Sequence, residues 1–246
     1  MRLQLSTWQE IEQYLQRATG VVIPVGSTEQ HGPNGLIGTD AICPETIAHA
    51  LGEREDILVG PTLSIGMAQH HMGFPGTITL RPGTLIALIR DTVGSLVTHG
   101  FTHILFVNGH GGNIATLQTA FADIQTTRSF GGVAGEVQLG LHNWFLGARA
   151  RRLANELYGA AEGAHATPSE VSLSWYAWPE AVKRVPLEPE VAPAAAGFGD
   201  ARDFRRRYPD GRMGSNPGLA CVEHGRRLLE AGIEDALEAW QQLLRR

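Results

Sequence analysis

Two short stretches of the chain carry carboxylates and imidazoles at spacings that suit a divalent cation: Glu29-Gln30-His31 with Asp40 nine residues beyond, and Asn108-Gly109-His110-Gly111-Gly112-Asn113. Glu29 and His31 stand two apart, so an extended segment turns both side chains to one face. Asp40 follows Gly35 and Gly38, in a loop able to fold its carboxylate back toward them. His110 sits among glycines at a helix start, where small residues let the backbone approach a ligand closely. Imidazole suits Zn, Mn, Fe or Ni, and carboxylates harden the site toward Mn or Zn. Three or four such ligands, one carboxylate bridging, can hold two ions about 3.5–4 Å apart with a water between them. Taken singly, Glu29 reads as a solvated acid and His31 as a loop imidazole. The four together favour the metal site.

A third stretch runs from Glu162 to Ser172. His165 precedes a helix that starts near Pro168, with Ser169 and Glu170 in its first turn. His165 suits an acid/base that passes protons around a metal-activated water, and Glu170 a ligand or orienting carboxylate. The competing reading is structural: Thr167 caps the helix and Glu170 complements its dipole.

These residues need elements to position them. Val21–Val25 precedes the first stretch and His103–Val107 the second, and both read as buried strands. Thr7-Trp8-Gln9-Glu10 reads as a capping box opening an amphipathic helix that ends at Gly20. A helix is expected over Cys43–Leu51 with Pro44 in its first turn, then a strand over Ile57–Val59. The loop Ser64–Gly76 leads to a strand over Thr77–Leu80. Helix Thr84–Thr98, strand Ile104–Val107, helix Asn113–Arg128 and strand Gly132–Val137 follow. Beyond Leu139, helices are expected over Ala148–Leu157, Ser169–Trp178 and about Leu219–Leu244. The stretch Pro186–Gly199 reads as an exposed, partner-contacting excursion. Strands alternating with helices argue an α/β fold with a mainly parallel sheet covered on both faces. Ligands then gather at the carboxyl ends of the strands. No repeat or linker divides the 246 residues, so one domain is expected over 1–246.

Hydrophobic content of 43%, charged content of 18% and a net charge of -5 are those of an ordinary globular protein. They give no electrostatic footprint for nucleic acid or an anionic membrane. Cys43 and Cys221 form no C-x-x-C pair, so neither a disulfide framework nor a thiolate zinc site is expected. The first residues lack an apolar signal core and no run approaches a membrane span. A soluble cytoplasmic protein is expected.

The run Pro24-Val25-Gly26-Ser27-Thr28-Glu29-Gln30-His31-Gly32-Pro33, continued by Gly38-Thr39-Asp40, resembles the signature of the creatininase (creatinine amidohydrolase) family. Phe74–Leu80 resembles its FPGT segment and Asn108–Asn113 its NGHGGN segment. His165-Ala166, with Glu170 and Ser172, is similar to its HAGxxETS segment, and Gly214-Ser215-Asn216-Pro217 also fits. The resemblance implies a three-layer α/β/α metal-dependent amide hydrolase assembled as a homo-oligomer, usually a hexamer. It implies Glu29, His31, Asp40 and His110 as ligands of divalent ions, two per subunit (Zn and/or Mn, with Fe an alternative), with Asp40 bridging. It implies His165 as the proton-transfer residue.

The family's members hydrolyse creatinine, formamides of nucleotide precursors, or a peptide precursor of a redox cofactor. Creatinine-hydrolysing members carry a metal-binding Glu where Gly112 stands here, which leaves the second ion to Glu170 or more weakly held. HAG and ETS have become His165-Ala166-Thr167 and Glu170-Val171-Ser172. The tryptophan expected shortly before the His is replaced by Ala160 and Ala161, and Trp144 is the candidate aromatic wall. His71, beside His70, is a candidate pocket residue. The expected activity is hydrolysis of a C–N amide bond in a small molecule: a cyclic amide such as creatinine, a formamide or a small peptide. The alternative is a non-catalytic metal or small-ligand binding protein of the same fold. A dinucleotide site is disfavoured, because the glycines of Asn108–Asn113 do not make GxGxxG and no ribose-binding acid follows about 20 residues later.

Overall fold

In the computed structural model, which describes residues 1–132, 136–194 and 196–246, the centre of the sheet is β1 (Gly20–Val25), six residues all buried. β1 pairs in parallel with β2 (Leu58–Val59) on one side and β3 (His103–Asn108) on the other. β3 pairs in parallel with β4 (Gln138–Asn143), giving the order β2-β1-β3-β4. The register sets Val25 opposite Asn108 and Asn108 opposite Asn143, so these strands end level with one another. The chain departs from β1 toward opposite edges of the sheet. Its β1/β3 boundary is therefore the switch point where open α/β sheets bind ligands.

Eight α-helices among the described residues accompany the sheet: α1 (Trp8–Leu15), α2 (Thr39–Glu55), α3 (Pro82–Thr98), α4 (Ile114–Gly131), α5 (Ala148–Tyr158), α6 (Pro168–Ala177), α7 (Ala201–Arg207) and α8 (Val222–Leu244). Alternation along the strands divides the core in two. Val21, Ile23, Ile104 and Phe106 pack with Leu85 and Ile89 of α3 and Leu117 of α4. Val22, Leu105 and Val107 face the other way, onto Ile47 and Leu51 of α2, Leu173 of α6 and Trp240 and Leu243 of α8. Both strand faces are apolar because both are covered. The result is the expected three-layer α/β/α arrangement around a parallel sheet.

Several expected boundaries move, and one matters for the site. The second helix starts at Thr39 rather than Cys43, so Asp40 lies in its first turn and not in a flexible loop. Pro44 accordingly lies inside α2, where its missing N–H leaves the carbonyl of Asp40 without a helical partner. The ends of β1 and β3 close on that carbonyl: a Cβ at Gly26 or Gly109 would stand 2.1 or 2.0 Å from Asp40 O. Glycine at both places lets two strand ends and a helix start meet.

Thr77–Leu80 is not a strand of the sheet. Ile78 makes a single antiparallel bridge with Thr28, and Thr79 Oγ1 accepts from Ala68 N at 2.9 Å, so the segment braces loops instead. The strand expected over Gly132–Val137 falls partly on 133–135, outside the described residues. Gly132 caps α4 in the left-handed conformation, and the last strand is Gln138–Asn143. The excursion Pro186–Gly199 is tied down on one side. The buried Arg212 guanidinium donates to Pro189 O and Glu190 O, and Ala192 N donates to Ser215 O.

Candidate metal centre

The loops after β1 and β3, the start of α2 and the start of α6 converge at the switch point. They bring the six predicted side chains together in three overlapping groups, each with ligand atoms within 4.8 Å: Glu29, Asp40 and His110; His31, Asp40 and Glu170; and Glu29, His31 and His165. Asp40 belongs to two of them, because its oxygens face opposite ways. Oδ1 is 3.0 Å from His31 Nε2 and Oδ2 is 2.9 Å from His110 Nδ1. Glu29 Oε2 lies 3.3 Å from His110 Nε2, and Glu170 Oε1 lies 3.9 Å from His31 Nε2. Glu29, His31, Asp40 and His110 are all buried.

Three histidines have one ring nitrogen beside a backbone carbonyl, which can only accept. His31 Nδ1–H donates to Glu29 O at 3.0 Å, His110 Nε2–H to Met67 O at 2.8 Å and His165 Nε2–H to Gln30 O at 2.8 Å. Each neutral ring then turns the lone pair of its other nitrogen toward the carboxylates, the arrangement usual for metal-binding imidazoles. Lone pairs at 2.9–3.0 Å from carboxylate oxygens call for a proton or a metal cation between them. The buried oxygens Glu29 Oε1, Glu29 Oε2 and Asp40 Oδ2 also lack hydrogen-bond partners among the described residues. A divalent ion satisfies both conditions, so the donor set fits a metal.

Electrostatics agree. Burial opposes charge on His31 and His110, yet the neighbouring carboxylates overcome it and lift them to about 10 and about 9. Burial would raise Asp40, but His31 and His110 hold it well below the usual carboxylate range. Burial raises Glu29, and it raises Glu170 to about 7. The cluster therefore pulls in positive charge. His165 goes the other way: burial, then the nearby His31 and His71, keep it well below 6.5 and neutral.

Glu170 takes the capping role and also stands beside the cluster. Thr167 N donates to Glu170 Oε1 at 2.6 Å and Glu170 N to Thr167 Oγ1 at 3.2 Å, a capping box that fixes the carboxylate beside His31. Gly112 has no room for a larger residue. A Cβ there would stand 2.4 Å from His110 Nε2 and 2.6 Å from Met67 O, across the hydrogen bond that orients His110. His71 is the inward member of its pair: its Nε2 stands 3.0 Å from Glu29 Oε1, while His70 stacks on Phe198. His71 does not line the cavity over the cluster; it braces Glu29.

That cavity, about 500 Å³, opens over the cluster and is lined by Asp40, His110, His165, Glu170, Trp144 and Arg151, among others. Its volume is within the range of small-molecule sites. Met213 N donates to His165 O at 3.2 Å and Ser215 Oγ to the same oxygen at 2.6 Å, fixing the backbone at His165. Ala166, next to it, holds a left-handed φ of 55°, a strained conformation for a residue with a Cβ.

Sequence reading missed Gln30, whose Nε2 donates to Gly211 O at 3.0 Å and to His71 Nδ1 at 2.9 Å. Its place between two ligands was the available signal. It also missed the Met67 carbonyl, for which a sequence carries no sign, and the cavity-lining face of α5.

The family model for creatininase, described as creatinine amidohydrolase, matches residues 4–240. A mycofactocin precursor peptide peptidase from Mycolicibacterium smegmatis is 37% identical over 42% of this chain and 43% of its own. A creatinine amidohydrolase from Pseudomonas putida is 34% identical over 42% of this chain and 42% of its own. The aligned part is thus less than half the length of either relative. A creatininase variant solved in complex with creatine superposes with a TM-score of 0.85 at 24% identity, over 98% of this chain and 97% of that one. Creatininase structures of zinc–zinc and manganese types give 0.84 at 22% and 23%. At this identity the likeness is one of fold. With a family model matched from residue 4 to residue 240 and the fold shared throughout, the chain belongs to the creatininase family.

Proposed function

We propose that this protein is a metal-dependent amidohydrolase that cleaves a C–N amide bond, with residues 1–246 working as one domain. The observation that carries the reading is the sharing of buried Asp40 between two ligand groups at the sheet's switch point. Glu29, Asp40 and His110 would hold one divalent ion, and His31, Asp40 and Glu170 a second. Zinc or manganese, when bound, supplies an acidified water and polarises a carbonyl.

The chain does the rest. His165, its Nε2–H held by Gln30 O, keeps Nδ1 free on the side of Glu29; Nδ1 takes the proton that the water loses as it adds to the amide carbonyl, and passes it to the departing nitrogen as the C–N bond breaks. His71 and the capping box of α6 hold the two outer carboxylates in place. Trp144 and its neighbours keep bulk water from the reacting amide. The substrate is a small molecule: a cyclic amide, a formamide or a short peptide. The homo-oligomer and the cytoplasmic location remain part of this proposal; sedimentation velocity tests the former and fractionation of cells the latter.

Metal analysis and hydrolysis assays on lactams, formamides and short peptides test it. The purified protein is expected to carry zinc or manganese and to hydrolyse at least one class. His110→Ala and Asp40→Ala are expected to lose both metal and turnover. Full activity in either variant overturns the reading, and so does metal-loaded protein that turns over none of the panel.

A further inference from the structure

Helix α5 carries three arginines, and two of them have acidic partners. Arg149 pairs with Asp235 and Glu238, each at 2.9 Å, and Arg152 lies 4.0 Å from Glu156. Arg151 faces no acidic partner among the described residues and instead lines the cavity that opens over the metal centre. Asn155, one turn further along, lines the same cavity, as do Ala150 and Ala154. These four positions form one helix face. The alanines close it against the core while Arg151 and Asn155 reach into solvent. The carboxamide of Asn155 makes no hydrogen bond among the described residues, so a guanidinium and a carboxamide stand side by side with their donors unspent.

The helix that presents them is firmly seated. Asp235 accepts from Arg149 N and Ala150 N, each at 3.0 Å, in the first turn. Across the cavity Glu162 is held by the hydroxyl of Ser169. Trp144, Phe145 and Leu146 give the same cavity an apolar stretch of lining. A free guanidinium next to an amide donor is a site for an oxyanion, bound through paired N–H groups.

We infer that Arg151, with Asn155, binds an anionic group of the substrate, so that the preferred amide carries a carboxylate or phosphate away from its scissile bond. The inference rests on the amidohydrolase reading for the reacting end and on α5 alone for the charged end. It makes Arg151 a specificity residue.

The experiment uses metal-loaded full-length protein and matched pairs of a formamide, a lactam and a dipeptide, each as free carboxylate and as carboxamide. N-formylglycine with N-formylglycinamide is the simplest pair, and a phosphate-bearing formamide separates the two kinds of anion. In the wild type the anionic member is expected to lead in kcat/KM by roughly tenfold or more, chiefly through KM, as for a hydrogen-bonded charge. Arg151→Gln is expected to bring the ratio of the two members close to one, and Arg151→Lys to restore part of it. Equal use of both members by the wild type overturns the inference, as does an unchanged preference in Arg151→Gln. Should no pair be hydrolysed, it is the amidohydrolase reading that fails. Calorimetric binding of the anionic members to wild type and Arg151→Gln then decides the present point, and equal Kd values overturn it.

Discussion

His165 and His110 sit in one cluster, yet their rings are set for different tasks. His110 Nδ1 is 2.9 Å from Asp40 Oδ2, whereas the nearest carboxylate oxygen to His165 Nδ1 is Glu29 Oε1, at 3.9 Å. Replacing His165 by Ala is therefore expected to leave metal content near the wild-type value and to lower kcat by about 10²–10⁴-fold, the usual worth of a general acid. Metal analysis beside steady-state kinetics checks this; loss of metal would make His165 a ligand instead. Gly112→Ala tests the opposite face of His110. Its Cβ would press on His110 Nε2 and Met67 O, so metal affinity is expected to drop about 10–100-fold, as when an outer-shell contact is lost. Competition with a chromophoric chelator measures the drop.

At the scale of elements, the site depends on how helices are seated against the sheet. Asp235 of α8 is 5% exposed and takes two backbone N–H groups and the Arg149 guanidinium at the start of α5. Asp235→Ala removes that cap and leaves buried donors unmet. The expected cost is about 2–3 kcal/mol by urea denaturation, and α5 should loosen first in hydrogen exchange. Capping was legible in sequence where the partners lie close together, as in Thr7 with Glu10 and Thr167 with Glu170. It was not legible for α5, whose cap comes from a residue 85 positions from Ala150. The start of α2 was misplaced for a related reason. Gly38 and Pro44 argue against helix locally, and the helix start is held by contact with Gly26 and Gly109, just past the ends of β1 and β3.

For the whole molecule, the cluster is a set of buried like-charged oxygens and lone pairs that a bound cation relieves. Chelation is expected to lower stability by about 2.7 kcal/mol for each ion present at a hundredfold excess over its Kd, or roughly 5–10 °C in Tm. Thermal denaturation with and without EDTA checks it. The sign with pH follows from His31 and His110, lifted to about 10 and about 9 in the metal-free cluster. Raised folded values stabilise the chelated protein fully below the ordinary histidine value of about 6.5, and that gain fades as pH rises through them. Metal binding needs the same rings neutral and weakens as pH falls. The difference in Tm between loaded and chelated protein should thus widen with rising pH. A difference that narrowed instead would argue against imidazole ligands.

The alternation of β1, β2 and β3 with α2, α3 and α4, the buried character of β1 and β3 and the identity of the cluster-forming residues are written in the sequence, because each follows from local pattern. Apolar runs, capping pairs and short motifs act over a few positions and leave their mark there. What only the tertiary structure decided is how distant groups share space. Asp40 turns one oxygen to each of two histidines, Met67 and Gln30 lend carbonyls that orient imidazole rings, and His71 rather than His70 braces Glu29. Among the described residues Arg151 is left without an acid while its neighbours on α5 find theirs. Those outcomes depend on the level ends of β1 and β3 and on glycines at the meeting points, which come from packing across the chain and not from any one stretch of it.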